Sequence, residues 1–383
     1  MTYDVAVVGA GPAGSWTARR LALDGARVLL IDPSHPREKP CGGGITGRAL
    51  ELVADAVDVR QLPAVSIRSA RFTSSSSPRA CEVPLAGGTL VVASRRDFDG
   101  MLLLAARRSG ADVVESRVTN VAAARGGFDI ETSTGTRRAA RLVGADGANS
   151  LVRRRLGTAF RRDQLSIATG FFAHGATSEE IAVEFVGHPP GYIWSFPRPG
   201  HLAIGICAQG DAGPSATALR QIAAHWIART RLADGATLQQ YSWPIPSLHA
   251  ADLETVAPGG PGWLLVGDAA GLVDPITREG IYFALRSAEW AAAAITSSDR
   301  EPWRQYTSRV REEIGADLAR AARLKRRFFQ PRFTQLVIDA LRRSASVRTV
   351  MADLVAGRQG YGDLKWRLLR TLQLGVAARF FFD

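Results

Sequence analysis

Residues 9–14 read Gly-Ala-Gly-Pro-Ala-Gly, directly after a short β-forming run (Tyr3–Val8) and at the head of a helically spaced stretch (Pro12–Asp24). Glycines at Gly9, Gly11 and Gly14 allow a tight turn, close approach of backbone to a pyrophosphate, and tight packing of helix on strand. The helix that starts around Ala13 offers unbonded N–H groups and its positive dipole end to phosphate. Asp32, with Pro33 behind it, closes the next apolar run (Arg27–Ile31), where a carboxylate can accept hydrogen bonds from a ribose. Two more carboxylates stand among small residues: Asp146, followed by Gly147 in the stretch Gly144–Ser150, and Asp268 in Gly267–Gly271. One Ala-Asp-Gly by itself is usually a turn. In company with the N-terminal glycines, these stretches point to a bound dinucleotide. The glycines alone do not choose between NAD and FAD.

A thiol and a row of rings come next. Cys41 lies in Lys39-Pro40-Cys41-Gly42-Gly43-Gly44, where it is either a small residue filling a tight loop or a thiol held at a reaction site. Tyr192, Trp194 and Phe196 alternate, so they share one face of a strand, as a wall for an apolar ligand or as ordinary sheet core. Six histidines are scattered without ligand spacing, and no metal site is expected. Cys41, Cys81 and Cys207 form neither a disulfide nor a zinc pattern, which fits a reducing cytoplasm.

The elements that must position these residues follow from periodicity. Tyr3–Ile31 is a βαβ unit. A helix is expected over Arg96–Ser109, with strands at Asp112–Asn120, Phe128–Thr132 and Arg138–Gly144. Leu165–Gln209 is aromatic and β-branched with Gly/Pro punctuation, the pattern of an antiparallel sheet. Trp263–Val266 is a buried strand leading to a helix around Ile281–Ile295. The remainder is helical, with one apolar stripe of Phe333, Leu336, Val337, Ala340 and Leu341, and another of Leu364, Leu368, Leu369 and Leu372.

At 383 residues the chain suits two or three packed units, and 46% hydrophobic with 22% charged residues excludes disorder and fibres. No uncharged apolar run reaches the roughly 18 residues of a membrane span, and Val5–Val8 is far too short for a signal peptide. The net charge is +12, and residues 301–383 hold 17 basic against 8 acidic side chains. No nucleic-acid-binding motif accompanies this charge, so a nucleic-acid partner is not expected. Anionic lipid or an acidic protein fits better. Leu364–Leu374 combines leucines and Trp366 with Lys365, Arg367 and Arg370, and Phe380–Phe382 end the chain. This reads as peripheral contact with the inner membrane face from the cytoplasm, or as a stripe packed inside or against a second subunit.

The N-terminal glycines, Gly144–Ser150 and Gly267–Gly271 together resemble the FAD-binding set of the glutathione-reductase-like flavoproteins, in the branch of the aromatic hydroxylases. The resemblance implies that Asp268 bonds the ribityl chain of a non-covalent FAD. It also implies that the helix entered at Gly280 and Ile281 points its N-terminus at the flavin N1–C2=O edge. Ser94–Asp99 with Leu102 matches that branch's Arg-x-x-Phe-Asp helix start, so Arg95 would touch FAD. Lys39–Gly44, Tyr192–Pro197 and Gly267–Ile281, with Pro275 inside it, resemble the geranylgeranyl reductase family over about Tyr3 to Ala294. The family includes archaeal lipid-chain, chlorophyll and bacteriochlorophyll prenyl, and menaquinone reductases. Arg278 and Ala288 depart from it, each standing where the family usually has glycine.

The implied fold is α/β: a Rossmann-type FAD-binding domain (1–58 with 91–158 and 255–300), an inserted antiparallel-sheet substrate domain (59–90 with 159–254), and a helical segment (301–383). The implied activity is reduction of isoprenoid double bonds on a lipid, quinone or pigment precursor. Cys41 and Tyr192 would be catalytic, and Trp194, Phe196, Gly43 and Gly44 would touch the prenyl chain. Cys41 and Gly42 would also lie against the isoalloxazine. An isolated alkene has no carbonyl to polarise it, so protonation of one carbon must accompany hydride delivery to the more substituted one in a dry site. No second GxGxxG follows a strand, so the donor would be transiently docked NADPH or a reduced carrier protein such as a ferredoxin. An FAD monooxygenase or halogenase, and a flavin-binding protein without turnover, are the alternatives.

Overall fold

The computed structural model describes residues 2–75, 77–209 and 213–371. Its first sheet has eight strands, and six lie side by side: Gly259–Gly260, Trp263–Leu265, Gly135–Gly144, Thr2–Val8, Val28–Asp32 and Asp112–Glu115. Val5–Val8 runs parallel between Arg141–Gly144 and Val28–Ile31. Val5–Val8 and Val28–Ile31 are covered on both faces, which is why they read as unbroken apolar runs and not as alternating ones. Pro12–Leu23 packs on Arg95–Arg108 and Ile281–Thr296. The crossing needs glycine twice. Gly9 sits at φ +100, and a Cβ on Gly14 would lie 1.8 Å from the Gly9 carbonyl oxygen.

The second sheet has seven strands, in the order Thr237–Pro246, Leu165–His174, His201–Gln209, Pro190–Arg198, Glu180–Gly187, Ser69–Ser74 and Ser77–Pro84. Only Glu180–Gly187 and Ser69–Ser74 pair in parallel. Alternation divides its residues between two faces. Ile193 and Ile204 join Leu219, Ala223 and Trp226 of the helix Ala216–Thr230 in one core. Tyr192, Trp194 and Phe196 project from the other face. Gly205 lies beside Trp194, where a Cβ would stand 2.4 Å from the indole, so the ring can lie flat on the sheet. A small third sheet joins Gly44–Thr46, Leu90–Ala93 and Ala64–Ser66.

The C-terminal part is helical, as its stripes imply: Pro302–Phe328 with an internal π-turn at Val310–Gly315, then Pro331–Arg343, Ala345–Val355 and Tyr361–Arg370. Phe333, Val337, Ala340 and Leu341 pack with Phe72, Val83 and Phe185 of the second sheet. Of the two readings of the leucine stripe, packing inside the protein holds for Leu364 and Leu368. Leu364 and Leu368 are 4% exposed and belong to this internal core, whereas Trp366 is 66% exposed on the other side of its helix. Positions two apart cannot share a helical face. Arg367 is paired with Asp353. Leu372, Leu374 and Phe380–Phe382 lie outside the described residues. Among the described residues no helix is long and apolar enough to cross a membrane.

Candidate active site

A cavity of about 720 Å³ lies between the two sheets and the C-terminal helices. At one end it is lined by Gly9, Gly11, Ala13 and Asp32. The helix Pro12–Leu23 starts there with no side-chain cap and no acidic residue in its first turn. Its leading N–H groups are therefore open to an anion. The Asp32 carboxylate accepts from the N–H groups of Ala10 (2.9 Å), Ser34 and His35 (2.8 Å each). Burial opposes its charge, but the adjacent His35 ring and these N–H groups prevail, and its pKa falls to about 2. The same imidazole stands 2.8 Å from Asp32 and 3.7 Å from Asp99. Asp99 holds the buried Arg95 guanidinium through two 2.8 Å bonds.

The middle of the cavity is a loop entered from Gly267. Asp268 is paired with Lys39, Nζ to Oδ2 at 2.9 Å. Asp274 turns away from the cavity and accepts from the N–H groups of Ile276 and Thr277 and from the Tyr361 hydroxyl at 2.9 Å. Arg278 has φ +62, the left-handed region that suits glycine, and its guanidinium donates to Ser247 Oγ at 2.7 Å. Glu279 accepts from Thr46 Oγ1 at 2.7 Å and pairs with Arg48. Gly280 then begins the helix Ile281–Thr296, again without a side-chain cap, and lines the cavity with Ile281.

Opposite this loop lie the thiol and the rings. Arg198, 1% exposed, donates to the carbonyl oxygens of Cys41 (2.6 Å) and Gly42 (3.2 Å) and pairs with Glu38. Glu38 also accepts from Ser94 Oγ and the Arg95 N–H. Burial pushes the Glu38 carboxyl up, but the Arg198 charge and Ser94 outweigh it and hold it below the usual range. Two guanidinium groups flank the Cys41 sulfur, Arg95 at 3.7 Å and Arg198 at 3.6 Å. The loop glycines make room on the same side. A Cβ on Gly42 would lie 2.9 Å from the Phe196 ring, and one on Gly44 would lie 3.1 Å away. Gly43 has φ +85 against the Ala93 carbonyl and Arg198. Tyr192 donates to the Thr277 carbonyl at 3.2 Å, and burial pushes its hydroxyl far up. Its ring is 5.6 Å from Trp194 and stacks on Phe329 at 5.9 Å.

Residues 2–332 match the FAD binding domain family. Over 98% of its length the chain is 30% identical to the menaquinone reductase of Mycolicibacterium smegmatis, covering 97% of that protein. It is also 31% identical to the geranylgeranyl diphosphate reductase of Rhodobacter capsulatus, over 77% of this chain and 75% of the relative. The chain belongs to the geranylgeranyl reductase family of FAD-binding oxidoreductases. A geranylgeranyl bacteriochlorophyll reductase-like protein from Thermoplasma acidophilum superposes with a TM-score of 0.82, at 26% identity over 97% of this chain and 99% of that one. A flavin-dependent brominase superposes at 0.75 with 20% identity, over 97% of this chain and 99% of that one, which shows a shared fold.

The site of this flavoprotein fits its cofactor. Two uncapped helix starts, at Gly11 and Gly280, open on one cavity. A Cβ on Gly11 would meet nothing nearer than His35 at 3.7 Å, so the backbone there faces free space. Pro33, Cys41, Gly42, Gly43, Gly44, Arg95, Asp146, Gly147, Tyr192, Trp194, Phe196 and Asp268 line the same cavity. Gly14, Gly267 and Pro275 do not. Gly14 packs on Gly9, and Gly267 fits between Ala13 and Ala284, where an added Cβ would come within 3.2 Å of both. Asp146 reaches the cavity, but its carboxylate caps the helix Leu151–Leu156, accepting from Leu151 and Val152 N–H at 2.6 and 3.2 Å. Sequence reasoning missed Glu38, Arg198 and His35. Glu38 and Arg198 find their partners far away in the chain, whereas His35 reaches Asp32 only three residues before it.

Proposed function

We propose that this flavoprotein saturates carbon–carbon double bonds of a prenyl chain carried by a lipid, quinone or pigment precursor. One observation carries the reading: a single cavity is lined both by the dinucleotide cradle at Gly9–Ala13 and by the apolar side chains of Phe72, Val183, Phe185, Phe329 and Met351, with the Cys41 loop on its wall as well. Its relatives act on such compounds by name, and the halogenase-like neighbours share the fold alone. FAD, when bound, supplies the hydride. Asp268, with Lys39 beside it, would hold the ribityl chain, and the uncapped helix start at Gly280 and Ile281 would offer its N–H groups to the flavin edge. NADPH docked transiently, or a reduced carrier protein such as a ferredoxin, supplies electrons.

The chain's own residues have three tasks. Trp194, Tyr192 and Phe196 lay the alkene flat against the sheet and exclude water. Cys41 gives a proton to one alkene carbon, and the charge left on its sulfur stands beside Arg95 and Arg198. Tyr192 is the poorer acid, because burial and the Thr277 carbonyl both hold its proton in place. Its ring positions substrate instead. The test is anaerobic. Photoreduced enzyme mixed with a prenyl substrate should return to oxidised flavin, with a product two hydrogens heavier by mass spectrometry. Stoichiometric oxygen uptake with a hydroxylated or halogenated product would overturn the reading in favour of a monooxygenase or halogenase. A flavin that no reductant and substrate cycle would leave a binding protein. We further propose that the enzyme works on the cytoplasmic membrane surface through peripheral contact with anionic lipid, which the basic C-terminal residues and the exposed Trp366 support.

A further inference from the structure

Among Ile276 and the C-terminal helices lies a second, smaller and partly open pocket of about 30 Å³, lined by apolar surface only. Four residues line both this void and the large cavity: Ile276, Phe328, Met351 and Leu354. One layer of side chains therefore divides the two spaces. Most of that layer is fixed. Phe328 meets Phe185, Phe329 and Phe333 with ring centroids 5.6, 5.1 and 5.9 Å away. Ile276 is 4% exposed, and its N–H is bonded to Asp274 at 2.7 Å. Met351, on the helix Ala345–Val355, is only half-buried and has an unbranched side chain that can re-pack.

We propose that this partition, and Met351 above all, sets the longest prenyl chain that the site accepts. The inference rests on the prenyl-reductase reading above. A chain long enough to reach the partition meets Met351, and a longer one must fold back or enter the void. An apolar pocket of this size has room for about two water-sized groups, enough for a methyl at a chain end. A chain end entering it gains contacts with apolar side chains that would otherwise face empty space.

The test compares kcat/KM for substrates of three, four and five isoprene units on one head group. The proteins are FAD-loaded wild type, Met351→Ala, and Met351→Ala combined with Ala340→Met. Ala340 lines the void and not the large cavity, so methionine there refills the void from behind. Met351→Ala should raise the preference for the longer chains about tenfold. The double variant should return to the wild-type preference. Leu354→Val trims the same layer more gently and should shift the preference in the same direction if Met351→Ala does not fold. The rise in melting temperature on adding each chain reads binding without turnover and should follow the same order. If the variants fold, hold FAD and keep the wild-type preference while wild type reduces prenyl chains, this inference fails and the function stands. If FAD-loaded wild type reduces none of the chains, the function fails and the inference goes with it.

Discussion

Asp268 and Lys39 hold each other at 2.9 Å on the floor of the cavity, so each keeps the other in place for a polar ligand. Asp268→Ala should release Lys39 and raise the dissociation constant for FAD about tenfold or more, since a hydrogen bond to a charged group contributes about 1.5–3 kcal/mol. Equilibrium dialysis against FAD checks this, and unchanged retention would place the ribityl chain elsewhere. Asp32 gives a pH dependence. Its folded pKa, about 2, lies below that of an unfolded carboxyl near 4, so its stabilisation is complete above roughly pH 4–5 and drains away as pH falls through 2. Urea unfolding of wild type and Asp32→Asn should differ by about 2 kcal/mol near neutrality and converge in that acid window. Cys41→Ala should leave FAD bound and lower alkene reduction at least tenfold in single turnover. Activity within a factor of two of wild type would make Cys41 a loop filler. At this scale the sequence was a fair guide to glycines and carboxylates and a poor one to their partners. The oddity at Arg278 was visible, and its cause, a backbone at φ +62, was not. Arg198 was not legible at all, because nothing near it in the chain shows that it reaches Glu38 and Cys41.

Strand and loop act as one part. The glycines after Cys41 read as room for a flavin, and packing shows that Gly42 and Gly44 also admit the Phe196 ring. Alternation along Tyr192–Phe196 was enough to place three rings on one face, because a pleated strand leaves no other option. It could not show that Gly205 lets Trp194 lie flat, since that partner comes from the neighbouring strand. Trp194→Ala should leave FAD bound and raise KM for long prenyl substrates about tenfold, with a smaller change for short ones. It should also cost about 3–5 kcal/mol of stability, because the buried ring leaves a cavity. An equal loss for every chain length would deny the ring its positioning role. The C-terminal leucines show the opposite limit. Their stripe was legible, and its direction was not, because an amphipathic helix fits an interior as well as a membrane.

For the whole molecule, the charge of +12 is concentrated in residues 301–383, and Trp366 stands clear of the internal core. Vesicles containing anionic lipid should co-sediment with the protein, neutral vesicles should not, and salt should release it. Trp366→Ala should weaken this binding severalfold without disturbing the flavin. Equal sedimentation with both vesicle types, or with neither, would leave the basic surface to a protein partner. The bond between Tyr361 and Asp274 bears on how the molecule is made. Asp274 anchors the loop that leads into the helix at Gly280, and the hydroxyl that completes its hydrogen bonding sits on the last described helix. Translation delivers that helix after every strand of both sheets, and it must clear the ribosomal exit before it can dock. A nascent chain can therefore assemble its glycine cradle early, but the loop at Asp274 gains this hydrogen bond only after the helix Tyr361–Arg370 has emerged.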